Sequence, residues 1–318
     1  MAQRFKTDGG TAFVSPLVLV NSDNEILGDV ALKGDIGIGI PDTHAVYVSK
    51  SGNNTNEGTK VGLPKLTISS AVTQAEALLA DGASTVAVQI LDGGTYSESL
   101  TIPSNIHVIG TAATLVGTVT LGNNSGCTLN RHYASANDQN LVQKGSGSGH
   151  GFYKTNVTDM RGTSGTLTGG QALRNVSNGS VLFAFVGVLY VSANATGVSD
   201  GAAGFGHIHF WTPDLYLAGN DAVGISAQNL SNFIGYIDHI LEFGTPNGSI
   251  GIRLTNAGAV VKVTASEIIA ETAYSISSGN LHVSCPRIVG TRTGTPACEI
   301  SNMALRGAWG LLDAVNPA

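Results

Sequence analysis

The sequence predicts an all-β protein: a parallel β-helix, a solenoid of short coils stacked along one axis. Three observations carry this expectation. The first is a rung-like repeat of the form hydrophobic-Ser-x-x-Asn, or something close to it, in the second half of the chain, at Val176, Ile225, Ile252, Ile276 and Ile300, the last four anchors lying 27, 24 and 24 residues apart. The second is that each repeat carries two or three short β-prone runs, too few for a propeller blade and wrong in composition for leucine-rich repeats. The third is a chain with 42 glycines and only 12% charged residues, whose surface must be largely Ser, Thr, Asn and Gly. A unit this short cannot bury its own apolar face, so it must stack on copies of itself. Ile225, Ile252, Ile276 and Ile300 are therefore expected to line up as an internal ladder.

Residues 1–42 read as an arm or attachment segment. Phe13 to Val20 is a β-prone run, Asn21-Ser-Asp-Asn24 a turn, and Glu25 to Val30 a strand that could pair back. Lys33 to Ile40 alternates Gly with Ile, leaving one side bare for close approach of another backbone. The solenoid is expected over residues 43–305. It opens with the strand His44 to Ser49, a polar loop, and a helix within residues 66–80, where Ile68, Val72, Ala75 and Leu79 recur at helical spacing. Such a helix shields the apolar end and the unpaired edge of the first coil, with Ile68, Val72 and Leu79 as the capping residues. Strands follow at Thr85 to Leu91, Ser99 to Ile102, Asn105 to Gly110 and Thr118 to Leu121. In later coils the apolar runs alternate with period two: Ile208 and Phe210 oppose His207, His209 and Trp211, and Val261 and Val263 oppose Lys262. Residues 306–318 read as a C-terminal cap, with Trp309, Leu311 and Leu312 as plug or subunit contacts.

Several function classes are disfavoured. A net charge of −6 with 16 Lys plus Arg and no basic stripe argues against nucleic acid binding. No run of 18 apolar residues exists, so no helical membrane span is expected, and the N-terminus lacks the apolar core of a secretory signal. Cys127, Cys285 and Cys298 fit no metal spacing and read as small buried residues, although Cys285 and Cys298 are close enough in sequence to meet between adjacent turns. No phosphate loop, cofactor motif or metal-ligand cluster is present. The chain is expected to be made in a cytoplasm.

The stretch from Val46 to Gly110 resembles the opening of the right-handed, pectin-lyase-like β-helix proteins. Its order of features is a strand, a Gly/Asn-rich loop, an amphipathic helix ending at Asp81-Gly82, a strand from Val86 to Leu91, and the pattern Gly94-Thr-Tyr96-Ser-Glu98 before Ile102 and Ile106 to Gly110. In fold terms the resemblance covers about residues 44–305. Bacteriophage tailspikes, tail fibres and other virion appendages are the most similar in layout. That resemblance implies a structural protein of the virion, made in the host cytoplasm, homotrimeric, docked to other virion proteins through residues 1–42 and able to contact a host surface glycan. The alternative it implies is a tailspike that binds or hydrolyses host polysaccharide.

Two groups of residues are candidates for a site. Asp238, Glu242 and Glu267 are the acids best placed for an acid–base pair, Glu242 and Glu267 lying 25 residues apart as neighbours on stacked coils would. Solvated turns also carry such acids. The lyase members need clustered Asp for calcium and a basic residue; no Asp-Asp pair occurs here and basic residues in the later coils are sparse (Arg253, Lys262, Arg287 and Arg292), so a binding or structural surface is expected rather than an enzyme. His207, His209 and Trp211 share one strand face, with Tyr216 close behind. They suit a subunit interface or contact with a sugar ring, with metal binding a weaker third reading.

Overall fold

The computed structural model describes residues 4–6, 12–14, 18–20 and 43–300, apart from 146, 178, 201–205, 230, 231 and 246; of residues 4–6, 12–14, 18–20, 43 and 298–300 it describes the backbone alone. The chain divides into two units, Met1–Thr43 and His44–Ala318. In the first, Arg4–Lys6, Ala12–Val14 and Val18–Val20 form an antiparallel three-stranded sheet. The β-prone run from Phe13 thus supplies two strands that pair with each other, Phe13 opposite Leu19. Glu25 to Val30, the Gly/Ile alternation of Lys33 to Ile40 and the tail 306–318 lie outside the described residues.

The second unit is a parallel β-helix. Among the described residues eighteen strands join in one sheet whose pairings are all parallel, successive coils bonding to one another. The coil has three sides, and burial along the strands shows how two of them arise. In His207–Leu217 the buried positions are Ile208, Phe210 and Thr212, then Leu215 and Leu217. Period two breaks once, by a step of three, so the strand turns a corner at Pro213 and Asp214. Val181–Val191 turns at the same height, with Leu182, Ala184 and Val186 before the step and Leu189 and Val191 after it. We call the halves before and after this corner the first and second faces. Short strands such as Gln171–Asn175, Thr196–Asp200 and Val223–Ala227 make the third.

Stacking puts like above like inside. On the third face Val142, Leu173, Val198, Ile225 and Ile252 succeed one another in register, all essentially fully buried. Behind the first face, large and small side chains alternate along one column: Cys127, Tyr153, Ala184, Phe210, Gly235 and Val263. Gly235 leaves room for the ring of Phe210, since a Cβ there would lie 2.5 Å from Phe210 Cζ.

The repeat motif and the register part company late in the chain. Ile225 stands opposite Ile252. One coil further on, the Thr272 N–H donates to Ser249 O, and carrying that register forward sets Tyr274 over Ile252 and Ile276 over Leu254. Ile276 is buried in the core, but one alternate position along. Ile300 pairs with Ser284 in the first-face column instead of joining the ladder. The coils shorten here, with Glu267 over Arg287, and a sequence motif counted from its own anchors cannot register that change.

The helix spans Ile68–Ala80 and packs on strands Thr85–Ile90, Leu100–Ile102 and Ile106–Val116 of the first coils. Ile68 and Val72 are buried, and Leu79 is half-buried against the core. Thr67 caps it by accepting from Ser70 N. The Glu98 carboxylate, from the next turn of chain, accepts from Ile68 N at 2.9 Å and Ser69 N at 2.8 Å, satisfying two more orphan donors and placing negative charge at the positive helix end. Asp92 organises the preceding turn, accepting from Ser49 Oγ, Lys50 N, Gly94 N and Tyr96 Oη. Burial opposes its charge, but these donors outweigh it and hold the carboxyl below its ordinary range. The Gly-x-Tyr-x-Glu pattern therefore does structural work at the capped end.

Candidate functional site: an aromatic face and a charged face

The first face carries a continuous aromatic stripe. Phe185, Trp211 and Tyr236 stand in one outward column, with rings stacked at 4.7 Å and 4° and then 5.5 Å and 11°. Beside them Phe152 stacks on Phe183 at 5.3 Å, and Phe183 meets His209 edge-on. Parallel in-register coils are the cause: strands about 4.8 Å apart put equivalent side chains at ring-stacking distance. Phe152, Phe185 and Tyr236 remain 42%, 43% and 47% exposed, so the stripe meets solvent.

His207, His209 and Trp211 all belong to this face and are half-buried within it. Burial first, and His207 second, hold the His209 imidazole below its ordinary value. Among the described residues no group of three metal-ligating side chains occurs. Tyr216 does not join this set. It follows the corner at Pro213 onto the second face, where it stacks on Tyr190 at 5.1 Å and meets Phe243 edge-on. Arg161 lies over the Tyr190 ring at 4.2 Å and forks onto Asp159 with bonds of 2.9 and 2.8 Å.

The second face stacks acidic side chains over basic ones. Asp214, His239, Glu267 and Arg287 follow in register; His239 Nδ1 lies 2.9 Å from Asp214 Oδ1, and Glu267 pairs with Arg287. The neighbour expected of Glu267 is corrected here: it is His239, while Glu242 pairs with Leu217 on the coil before it. Three positions separate His239 from Glu242, the neighbour expected by spacing, because the chain after Glu242 lengthens that coil. The Glu242 carboxylate accepts from Ser249 Oγ and from Glu271 N. It caps a turn. Asp238 is exposed at the corner, beside a shallow groove of about 320 Å³ lined by Trp211, Tyr236, Thr264 and Ser266.

Phe152, Phe183, Phe185 and Tyr236 escaped the sequence reading. Their signal was vertical: Phe185, Trp211 and Tyr236 are 26 and 25 residues apart, one coil each. Among the described residues, no helix is long and apolar enough to cross a membrane. Comparison with protein-family models, curated proteins and solved structures found no match.

Proposed function

We propose that this chain is a structural protein of a virus particle, a phage tail fibre, spike or capsid appendage of the pectin-lyase-like kind. In this reading the β-helix supplies a stiff, low-charge surface for assembly and host contact. Residues 1–42 dock to another virion protein, and three copies associate. The observation that carries the reading is the combination of a rod of stacked coils with an outer aromatic stripe and with acids engaged in turns or ion pairs. Glu242 and Glu267, both held by neighbours, suit scaffolding better than acid–base chemistry.

A polysaccharide-cleaving tailspike is the second reading, favoured by Asp238 beside the Trp211–Tyr236 groove. It requires a partner carboxylate across that groove. The first reading is tested by the mass of the purified protein in solution and by immunogold labelling of intact particles. A trimer that labels an appendage is the expected result; a monomer absent from particles overturns it. Release of reducing ends from capsular polysaccharide, lost in Asp238→Asn, would favour the second.

A further inference from the structure

The first face is aromatic and carries histidine and lysine, and between Ile106 and Ser284 it holds no carboxylate; Glu299, described by its backbone alone, stands opposite Val283 on the coil beyond. His107, His150, His207, His209 and His282 alternate outward there with buried neighbours and are five of the chain's eight histidines. Lys154 and Lys262 add fixed positive charge, both exposed. The chain as a whole has a net charge of −6, so this face departs in sign from the rest.

The two lysines lie at the two ends of the Phe185–Trp211–Tyr236 stack. Below Phe185 the next residue of the column is Lys154, and a groove of about 290 Å³ there is lined by His107, Phe152, Lys154 and Phe185. Above Tyr236 the next residue is Thr264, which carries no ring, and a groove of about 460 Å³ is lined by Tyr236, Lys262, His282 and Ser284. Each groove thus offers an aromatic ring stacked on one face only, Phe185 below and Tyr236 above, with one lysine and one histidine. Four coil steps of ~4.8 Å separate Lys154 from Thr264, about 19 Å along the axis.

We infer that the first face is a docking surface for an acidic polysaccharide, a chain lying along the solenoid axis with sugar rings on Phe185 and Tyr236 and its carboxylates toward Lys154 and Lys262. This deepens the host-contact part of the reading above. Charge complementarity selects an anion, and Asp238 on the other side of Tyr236 sends the anionic group toward Lys262 and His282. Hydroxyls of Thr264 and Ser284 supply the polar contacts a sugar needs. A single-stranded nucleic acid fits less well, because its successive bases need successive free ring faces and the inner faces here are taken up by one another. Two equivalent grooves favour a repeating chain over a single sugar, since the second contact becomes intramolecular.

The test is binding of the full chain to immobilised alginate, polygalacturonate, hyaluronate and polysialic acid, with dextran, polyglutamate and a single-stranded oligonucleotide as controls. Expected is retention by at least one acidic polysaccharide and by none of the controls, weakened by salt. Lys154→Gln and Lys262→Gln should each weaken binding about fivefold, and the pair more than about twentyfold, with unchanged thermal melting. Tyr236→Ala should weaken it further, and Tyr236→Phe should restore it. The inference is overturned by failure on all four acidic chains, by equal binding of polyglutamate or oligonucleotide, by an unchanged double variant, or by sedimentation showing that copies bury this face against each other. Particle labelling is a separate readout, so glycan binding can fail while the virion assignment stands, and the reverse.

Discussion

The inside of the solenoid is built in two ways. Between Gly117 and Asp159 its packing includes a polar chain: buried His132 bridges Gly117 O at 3.1 Å and Tyr153 Oη at 2.9 Å, and Tyr153 Oη continues to Thr158 Oγ1 at 3.0 Å. Between His207 and Ala270 the equivalent positions are Leu215, Ile240 and Ile268, with Phe210 and Phe233 filling the first-face side. Both regions use the same backbone register, so the fold tolerates either solution. The polar coils depend on every hydrogen bond being made, whereas the apolar coils depend on volume alone. The two regions should therefore fail under different insults.

Truncation should hurt the apolar coils most. Phe210 is 1% exposed, between Ala184 and Gly235, so Phe210→Ala leaves a cavity with no large neighbour able to collapse into it. A loss of about 3–5 kcal/mol is expected from urea unfolding at neutral pH, with no added pH dependence. A loss below about 1 kcal/mol would mean that the column repacks freely.

Acid should instead find the polar coils. Burial pushes the His132 imidazole down to about 4, partly offset by its bond to Gly117 O. Unfolded, the ring binds its proton near the ordinary value of about 6.5. Stability from this group is therefore complete above pH 6.5, declines as pH falls from 6.5 to 4, and is flat below. The total is about 3 kcal/mol. Urea midpoints measured from pH 7 to 4 should show this slope, and His132→Gln should lower stability at pH 7 while removing about one proton's worth of slope. An unchanged slope in the variant would exclude His132 as its source.

The sequence carried this contrast unevenly. Alternation in His207 to Trp211 announced which side chains face inward, because period two is a local property of a strand. The helix stripe of Ile68, Val72 and Leu79 was legible for the same reason. Coil length was not, being fixed by loops that lengthen or shorten without changing the strand pattern. Hence the motif spacing matches the register at Ile225 and Ile252, but it does not set Ile276 over Leu254, nor Glu267 over His239. The aromatic stripe was hidden likewise: Trp211 stands out as one of two tryptophans, but its partners Phe185 and Tyr236 lie a coil away on either side. His132 gave no sign of burial, since its partners Tyr153 and Thr158 lie one coil further along the chain.

The smallest expected effect tests the spacing that both regions share. Gly197, Gly224 and Gly251 occupy successive coils of the third face, and a Cβ on each would lie 2.7, 2.6 and 2.6 Å from the carbonyl oxygen of Gly224, Gly251 and Ala273 in turn. The obstacle is backbone, which cannot swing aside. Gly224→Ala should therefore cost about 1–3 kcal/mol by overpacking, whereas Gly62→Ala, where a Cβ meets nothing within 4 Å, should be near neutral. The column ends at Ala273. That residue sits where the register slips, Thr272 opposing Thr291 and Tyr274 opposing Arg292, so it has no direct partner above. A methyl is accepted where the ladder is broken and excluded where it is continuous. If Gly224→Ala melts like the wild type, coil separation on this face is not fixed by the stacked glycines, and the shared register must be set by the side chains inside.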